Sequence, residues 1–279
     1  MDEDAGSMKR IFTCSAGAIV TKSIGLQPRE GYPNPTVIEL EHGILNAMGL
    51  PNPGIDHYSK ELLKLKKLPI PIIGSIYGAN IEGFTLLAKK MEQTGVAAVE
   101  LNISCPHAKH LGQEIGCDPG LVQDITFSVK NRVKIPVFVK ISPNITNIIE
   151  IAQAAKKGHA DAIVAINTVK AMKIDLETQH PILANKIGGY SGKAIKPIGI
   201  RCVYEIAQSV DIPLIGVGGV TTGEDALEYI LAGASAVQIG SAVYYRGVDV
   251  FTTICKEIEC WMKQHHYNSL SELIGAAHA

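Results

Sequence analysis

The sequence predicts an α/β protein built as a (β/α)8 barrel of the TIM type. Short, β-branched apolar runs recur along the chain, amphipathic stretches of helical length separate them, and the last two runs end in glycines. Near-continuous apolar runs of this length suit strands buried on both faces, the condition of a parallel sheet. Their alternation with helices implies repeated βαβ units. The rival architecture, an open doubly wound sheet, lacks support because no Gly-x-Gly-x-x-Gly turn follows a first strand.

Seven runs read as strands: Ala18–Thr21, Ile70–Ile73, Val96–Leu101, Pro136–Val139, Asp161–Ile166, Ile212–Val217 and Ala236–Ile239. Between them lie the helical patterns Gly83–Thr94, Pro119–Val133, Ile145–Lys157, Lys196–Ser209 and Gly223–Ala232, with a helical tail over Val248–Gln264 and Ser269–Ile274. A closed barrel needs eight strands. Ser7–Cys14 reads as a helix leading into the first run, so the first strand of the barrel is expected to be missing or replaced by an irregular segment. Residues 24–54 and 169–195 interrupt the rhythm. The first is expected to hold a hairpin-like loop, and both follow strand C-termini, the barrel face that carries active sites. Residues 1–279 are read as one domain.

With 26 Lys+Arg against 27 Asp+Glu the formal net charge is −1, which argues against a nucleic-acid groove or a polybasic membrane surface. No apolar run approaches the roughly 18 residues that span a bilayer, and the acidic start Met1-Asp-Glu-Asp has no apolar signal core. The six cysteines, at 14, 105, 117, 202, 255 and 260, show no framework spacing, as in a reduced cytoplasmic protein.

Gly216-Val-Gly-Gly219 and Gly240-Ser241 close the last two strands. In a barrel these loops present bare backbone N–H groups and a helix N-terminus to a phosphate, carried either by a flavin mononucleotide or by a phosphorylated substrate. Lys22-Ser23, Ser75, Asn102, Lys140 and Asn167-Thr168 stand at the other strand ends. A lysine ending an apolar strand calls for an anionic or electron-rich partner. The amides of Asn46, Asn102 and Asn167 supply donors and acceptors for a planar heterocycle. Cys105 opens a glycine-bearing loop after the third strand, within reach of a ligand over the barrel. Cys105, His107, His110 and Cys117 match no structural-zinc spacing, and no metal is expected.

Taken together, Asn102-Ile-Ser-Cys-Pro-His, Thr21-Lys-Ser with Pro28-Arg-Glu-Gly, Asn46-Ala-Met-Gly-Leu-Pro-Asn-Pro-Gly, Ile166-Asn-Thr and Gly189-Tyr-Ser-Gly-Lys-Ala-Ile-Lys-Pro resemble class 1 dihydroorotate dehydrogenase. The likeness runs from about Ser7 to the C-terminus, and the Ser-Gly-x-Ala-Ile-Lys-Pro segment resembles the 1B branch. The resemblance implies an FMN enzyme of pyrimidine biosynthesis that oxidises dihydroorotate to orotate. It implies NAD as final acceptor through a partner, and a homodimer that joins an iron–sulfur/FAD electron-transfer subunit in a heterotetramer.

By the same resemblance Cys105 is the base that takes the C5 proton of dihydroorotate. Lys22, Asn46, Met48, Gly49, Leu50, Asn102, His107, Asn167 and Thr168 hold the substrate. Lys22, Ser23, Ser75, Asn102, Lys140 and Ile166 line the flavin with Gly192, and Gly218, Gly219, Gly240 and Ser241 take its phosphate. The chain departs from the family pattern at His107 and Ser75, where many members carry Asn. It departs again at the start, which resembles the segment just after the family's first strand and its Ala-Ser-Gly turn. A start site set too late, or a natural truncation leaving a gap in the barrel wall, is the expectation there.

The runner-up resemblance is to the pyrimidine-reducing domain of dihydropyrimidine dehydrogenase, which shares the Ser-Cys-Pro-His and Gly-x-Ser-Gly segments but not Asn46–Gly54. A barrel that binds flavin without catalysis is the reading from another class.

Overall fold

The computed structural model describes residues 4–66, 68–104 and 115–279. Helix α1 (Ala5–Phe12) leads into β1 (Ile19–Val20), and the first insertion carries the hairpin β2 (Val37–Leu40) and β3 (Gly43–Asn46). Then come α2 (Ile55–Leu63), β4 (Ile72–Ile76), α3 (Ile81–Gln93), β5 (Ala98–Asn102), α4 (Pro119–Arg132), β6 (Val137–Ile141), α5 (Ile148–Lys157) and β7 (Ala162–Ala165). The second insertion holds β8 (Val169–Ala171), β9 (Ile174–Asp175), β10 (His180–Pro181) and β11 (Gly188–Ser191). The chain closes with α6 (Lys196–Ala207), β12 (Leu214–Val217), α7 (Gly223–Leu231), β13 (Ala236–Gln238), α8 (Ala242–Arg246) and α9 (Val250–Gln264).

All seven expected strands are present in one parallel sheet, in the order β1-β4-β5-β6-β7-β12-β13. Two side-chain contacts require that sheet to curl. Gln238 on β13 donates to Glu100 on β5 at 2.8 Å and accepts from Lys140 on β6 at 3.2 Å. Strands four places apart in a flat sheet lie roughly 19 Å apart at the usual spacing, so these bonds form only across the hollow of a curled sheet. Among the described residues β1 and β13 are the two edges. The outer helical layer bridges them: Thr252 of α9, which follows β13, donates to the carbonyl of Cys14, which precedes β1.

Side-chain alternation explains the two faces of the sheet. Ile72 and Ile76, Val99 and Leu101, Val137, Val139 and Ile141, Ile163 and Ala165, and Leu214 are all buried under the helices. Glycine interrupts this face where a helix approaches closely. A Cβ at Gly74 falls 2.4 Å from Met91 of α3, and one at Gly216 falls 2.4 Å from the Tyr229 ring of α7. On the alternate face, which points into the barrel, Ser75, Glu100, Asn102, Lys140 and Gln238 supply the polar groups.

The helices start where the sequence supplies caps. Asn80, Asp118, Asn147 and Thr222 each accept a backbone N–H from the first turn of α3, α4, α5 and α7. Pro119 stands in the first turn of α4. Two elements go beyond the sequence expectations. Helix α2 occupies part of a stretch that carries no assigned element above. The second insertion is not an isolated loop: β11 pairs with β3 and β8 in the four-stranded antiparallel sheet β2-β3-β11-β8.

Candidate active site

That second sheet is built at the C-terminal rim of the parallel strands, because its strands belong to the loops after β1 and β7. It brings Asn46, at the end of β3, to the rim from the far end of a long insertion. The Asn46 amide donates to the Gly189 carbonyl at 3.2 Å. Gly189 in turn packs on Thr168, whose Oγ1 lies 2.1 Å from where a Cβ would be. Only glycine permits β11 to pass so close to the β7 terminus, and the passage seats Asn46 beside Thr168.

Inside the barrel one hydrogen-bonded chain joins five of the predicted residues. The Thr168 backbone N–H donates to Asn167 Oδ1 at 2.8 Å, and Asn167 Nδ2 donates to Asn102 Oδ1 at 3.2 Å. Asn102 Nδ2 donates to Ser23 Oγ at 3.1 Å, and Ser23 and Ser75 share a hydroxyl bond of 2.9 Å. Ser75 Oγ donates onward to Glu100 Oε1 at 3.4 Å. A carboxylate accepts only, so Glu100 sets the direction of the whole chain. Neither Glu100 nor Gln238 was anticipated. The signal was present: Glu100 is an acid inside an apolar strand, two residues before Asn102 and therefore on its face.

The two strand-end lysines differ. Lys140 Nζ lies 3.8 Å from Glu100 Oε1 and donates to Gln238. Lys22 is half-buried and has no ion-pair partner among the described residues. Ser75 is buried, with its hydroxyl spent between Ser23 and Glu100, so it backs the site and Ser23 stands in front of it. Ile166 is also buried, and its N–H donates to the Val217 carbonyl. Ser104 Oγ is buried without a hydrogen-bond partner among the described residues. Cys105 and His107 lie outside the described residues.

The glycines of the last two strands play different parts. Gly218 (φ +131°) and Gly219 (φ +70°) hold conformations that side-chain-bearing residues rarely adopt. A Cβ at Gly219 falls 2.7 Å from the Gly192 carbonyl, so these two residues, 27 apart in sequence, form one tight corner. A Cβ at Gly218 points to Tyr229 and Ile195, away from open space. At Gly240 a Cβ meets nothing within 4 Å, leaving bare backbone facing an opening just before α8. Such an opening at the rim, with Ser241 next to it, fits a phosphate. The polar floor of Lys140, Asn102 and Asn167 fits the heteroatom edge of a flavin.

Behind this corner Asp225 binds the α7 N-terminus. Its Oδ2 accepts from Thr221 Oγ1 at 2.7 Å and from the N–H groups of Thr221 and Thr222 at 2.9 Å, while Lys196 reaches Oδ1 at 2.7 Å. Burial alone would raise this carboxyl. The bonds from Lys196 and Thr221 outweigh it and hold the group down at about 2.

The Met48–Leu50 loop is pinned from several sides. Gly49 and Leu50 are both left-handed, at φ +74° and +57°. Arg29 Nε donates to the Gly49 carbonyl at 2.6 Å, and the Tyr32 N–H donates to the Met48 carbonyl at 3.0 Å. Asn52 is buried and fully bonded: it accepts from the N–H groups of Gly25 and Gly54 and donates to the Leu50 carbonyl and the Tyr77 hydroxyl.

Among the described residues no helix is long and apolar enough to cross a membrane, and no three His, Cys, Asp or Glu side chains gather as a metal site. The family model for dihydroorotate dehydrogenase matches residues 1–262. The chain is 54% identical to the catalytic subunit of dihydroorotate dehydrogenase B (NAD(+)) from Methanocaldococcus jannaschii, covering 100% of this chain and 92% of the relative. It is 50% identical to the subunits of that name from Thermoplasma volcanium, covering 99% and 91%, and Pyrococcus abyssi, covering 97% and 90%. With the curled parallel sheet, the rim insertions and these matches together, the chain belongs to the dihydroorotate dehydrogenase family and has its TIM-barrel fold.

Proposed function

We propose that this chain is the catalytic subunit of a dihydroorotate dehydrogenase that oxidises dihydroorotate to orotate with FMN. The observation that carries the reading is the continuous amide and hydroxyl chain from Thr168 through Asn167, Asn102 and Ser23, with Asn46 brought over it by a separate sheet. It offers a flat heterocycle both donors and acceptors from three directions.

The family is flavin-dependent, and FMN, when bound, accepts the hydride that leaves C6 of the substrate. Cys105 takes the C5 proton, so the C5–C6 bond becomes double. A thiol whose reference pKa is roughly 8.5 is close enough to neutral to serve. Asn46, Asn102, Asn167 and Thr168 hold the ring together with the Met48–Leu50 loop, and His107 is assigned to the substrate by the family resemblance alone. Lys22, a half-buried cation with no counter-ion among the described residues, meets the substrate carboxylate, a use a carboxylate-free pyrimidine would not give it. Ser23, Ile166 and Lys140 line the flavin, Ser75 supports Ser23, and Lys140 stabilises negative charge on its pyrimidine edge. The Gly192–Gly219 corner, with Gly218, Gly240 and Ser241, receives the phosphate.

The relatives' description as NAD(+)-linked catalytic subunits supports a second subunit. The reading extends to an iron–sulfur/FAD subunit that passes electrons to NAD, joined to a homodimer of this chain in the cytoplasm, on the family resemblance alone. Anaerobic mixing of the purified protein with dihydroorotate tests the chemistry. The expected result is loss of the visible flavin band with dihydroorotate and none with dihydrouracil. A yellow protein that bleaches only with dihydrouracil, or with neither, overturns the substrate assignment.

A further inference from the structure

We infer that Glu100 is a positioning residue of this site: it is the buried counter-charge that holds the Lys140 ammonium and sets the net charge beneath the flavin. The inference rests on the FMN reading above but concerns a residue that reading does not use.

Glu100 is 1% exposed and lies inside the barrel, among strands whose other inward groups are neutral or cationic. A buried carboxylate needs its lone pairs occupied and its charge compensated. The structure meets both needs with groups of the site itself. Oε2 accepts from Gln238, and Oε1 accepts from Ser75 and faces Lys140 Nζ at 3.8 Å. Gln238 also accepts from Lys140, so the three side chains, from β5, β6 and β13, form a closed ring across the interior. That ring fixes the ammonium in one place on a long, flexible side chain. It also sets the charge there: a lone Lys140 would present a full positive charge, whereas Lys140 with Glu100 presents a dipole.

Substituting Glu100 by Gln keeps the shape and removes the charge. Sulfite reports the result without turnover, because its addition to oxidised flavin leaves negative charge on the edge that Lys140 serves. Glu100→Gln is expected to bind sulfite more tightly by roughly ten- to a hundredfold, the size expected when one charge is removed about 6–12 Å away at an effective dielectric near 20. The flavin midpoint potential is expected to rise with it. Lys140→Gln is expected to shift both in the opposite direction, and the double variant to return near the parent. A structural role alone would weaken flavin retention without this reversal of sign.

A yellow parent whose sulfite affinity is the same in Glu100→Gln, or whose double variant matches Lys140→Gln alone, overturns the inference. If Glu100→Gln does not fold, comparison of the double variant with Lys140→Gln still isolates the Glu100 charge. A colourless parent overturns the FMN reading instead. The pairing is then tested by thermal unfolding of the same variants, where additive Tm losses would refute it and a double variant more stable than Glu100→Gln would support it.

Discussion

Asn167 donates its side-chain amide to the side-chain carbonyl of Asn102 at 3.2 Å, tying the end of β7 to the end of β5 across β6. Each amide is thereby oriented by the other, and the pair faces the rim as one unit. Asn167→Ala removes one ligand and frees the other. The KM for dihydroorotate is expected to rise roughly ten- to a hundredfold, the worth of one to two hydrogen bonds, with FMN still bound. Steady-state kinetics beside the flavin spectrum check both halves.

Cys105 carries the proposed proton transfer. Cys105→Ala is expected to lower kcat by roughly 10²–10⁴-fold and leave the flavin spectrum intact. Cys105→Ser is expected to keep a slow activity that grows at higher pH, since a hydroxyl is the weaker acid. Turnover unchanged in the Ala variant would rule the assignment out.

The two glycine turns separate folding from ligand binding. Gly218→Val is expected to lose flavin through backbone strain, since its φ of +131° suits glycine and its Cβ points at Tyr229 and Ile195. Gly240→Val meets no neighbour within 4 Å and should fold with an unchanged Tm while binding FMN at least tenfold more weakly, roughly the loss of one or two phosphate contacts. Fluorescence titration of the apoprotein with FMN, beside its melting curve, distinguishes the two.

Asn52 connects the substrate loop to the barrel. Asn52→Ala strands the N–H groups of Gly25 and Gly54 and is expected to cost about 2–4 kcal/mol of stability. Because the Leu50 carbonyl also loses its partner, the KM for dihydroorotate should rise more than kcat falls. Denaturant unfolding and kinetics on the same preparation measure the two effects.

Asp225 makes the fold acid-sensitive in a defined window. Its carboxyl sits at about 2 in the folded protein, against an unfolded value of about 3.9. A lowered carboxyl stabilises the fold above the unfolded value, and that stability drains away as pH falls from about 4 toward 2. The contribution is about 1–2 kcal/mol once solvent screening on the Lys196 side is allowed for. Asp225→Asn is expected to be less stable at neutral pH and to show a flatter acid limb. An acid limb as steep as the parent's would place the effect elsewhere.

The strands and helices of the barrel were legible because burial on a repeating unit leaves a repeating pattern. Val99, Leu101, Val137, Val139 and Ile163 are apolar since each lies under a helix, and local periodicity reports that directly. The strand-end residues Lys22, Asn102, Lys140 and Asn167 were legible too, as polar groups closing apolar runs. What stayed hidden depends on contacts between residues far apart in sequence. The pairing of β3 with β11 joins positions more than 140 residues apart, so neither insertion alone reveals that Asn46 arrives beside Thr168.

Sequence by itself therefore determined the barrel class and put polar groups at the strand ends of one face, where the candidate site lies. Only the tertiary structure decided which of those groups meet. Glu100 reads as one acid in an apolar run until the sheet curls and brings Gln238 from β13 and Lys140 from β6 to its two oxygens. A side chain's charge is written in the sequence, whereas the neighbours that compensate it are set by closure of the fold.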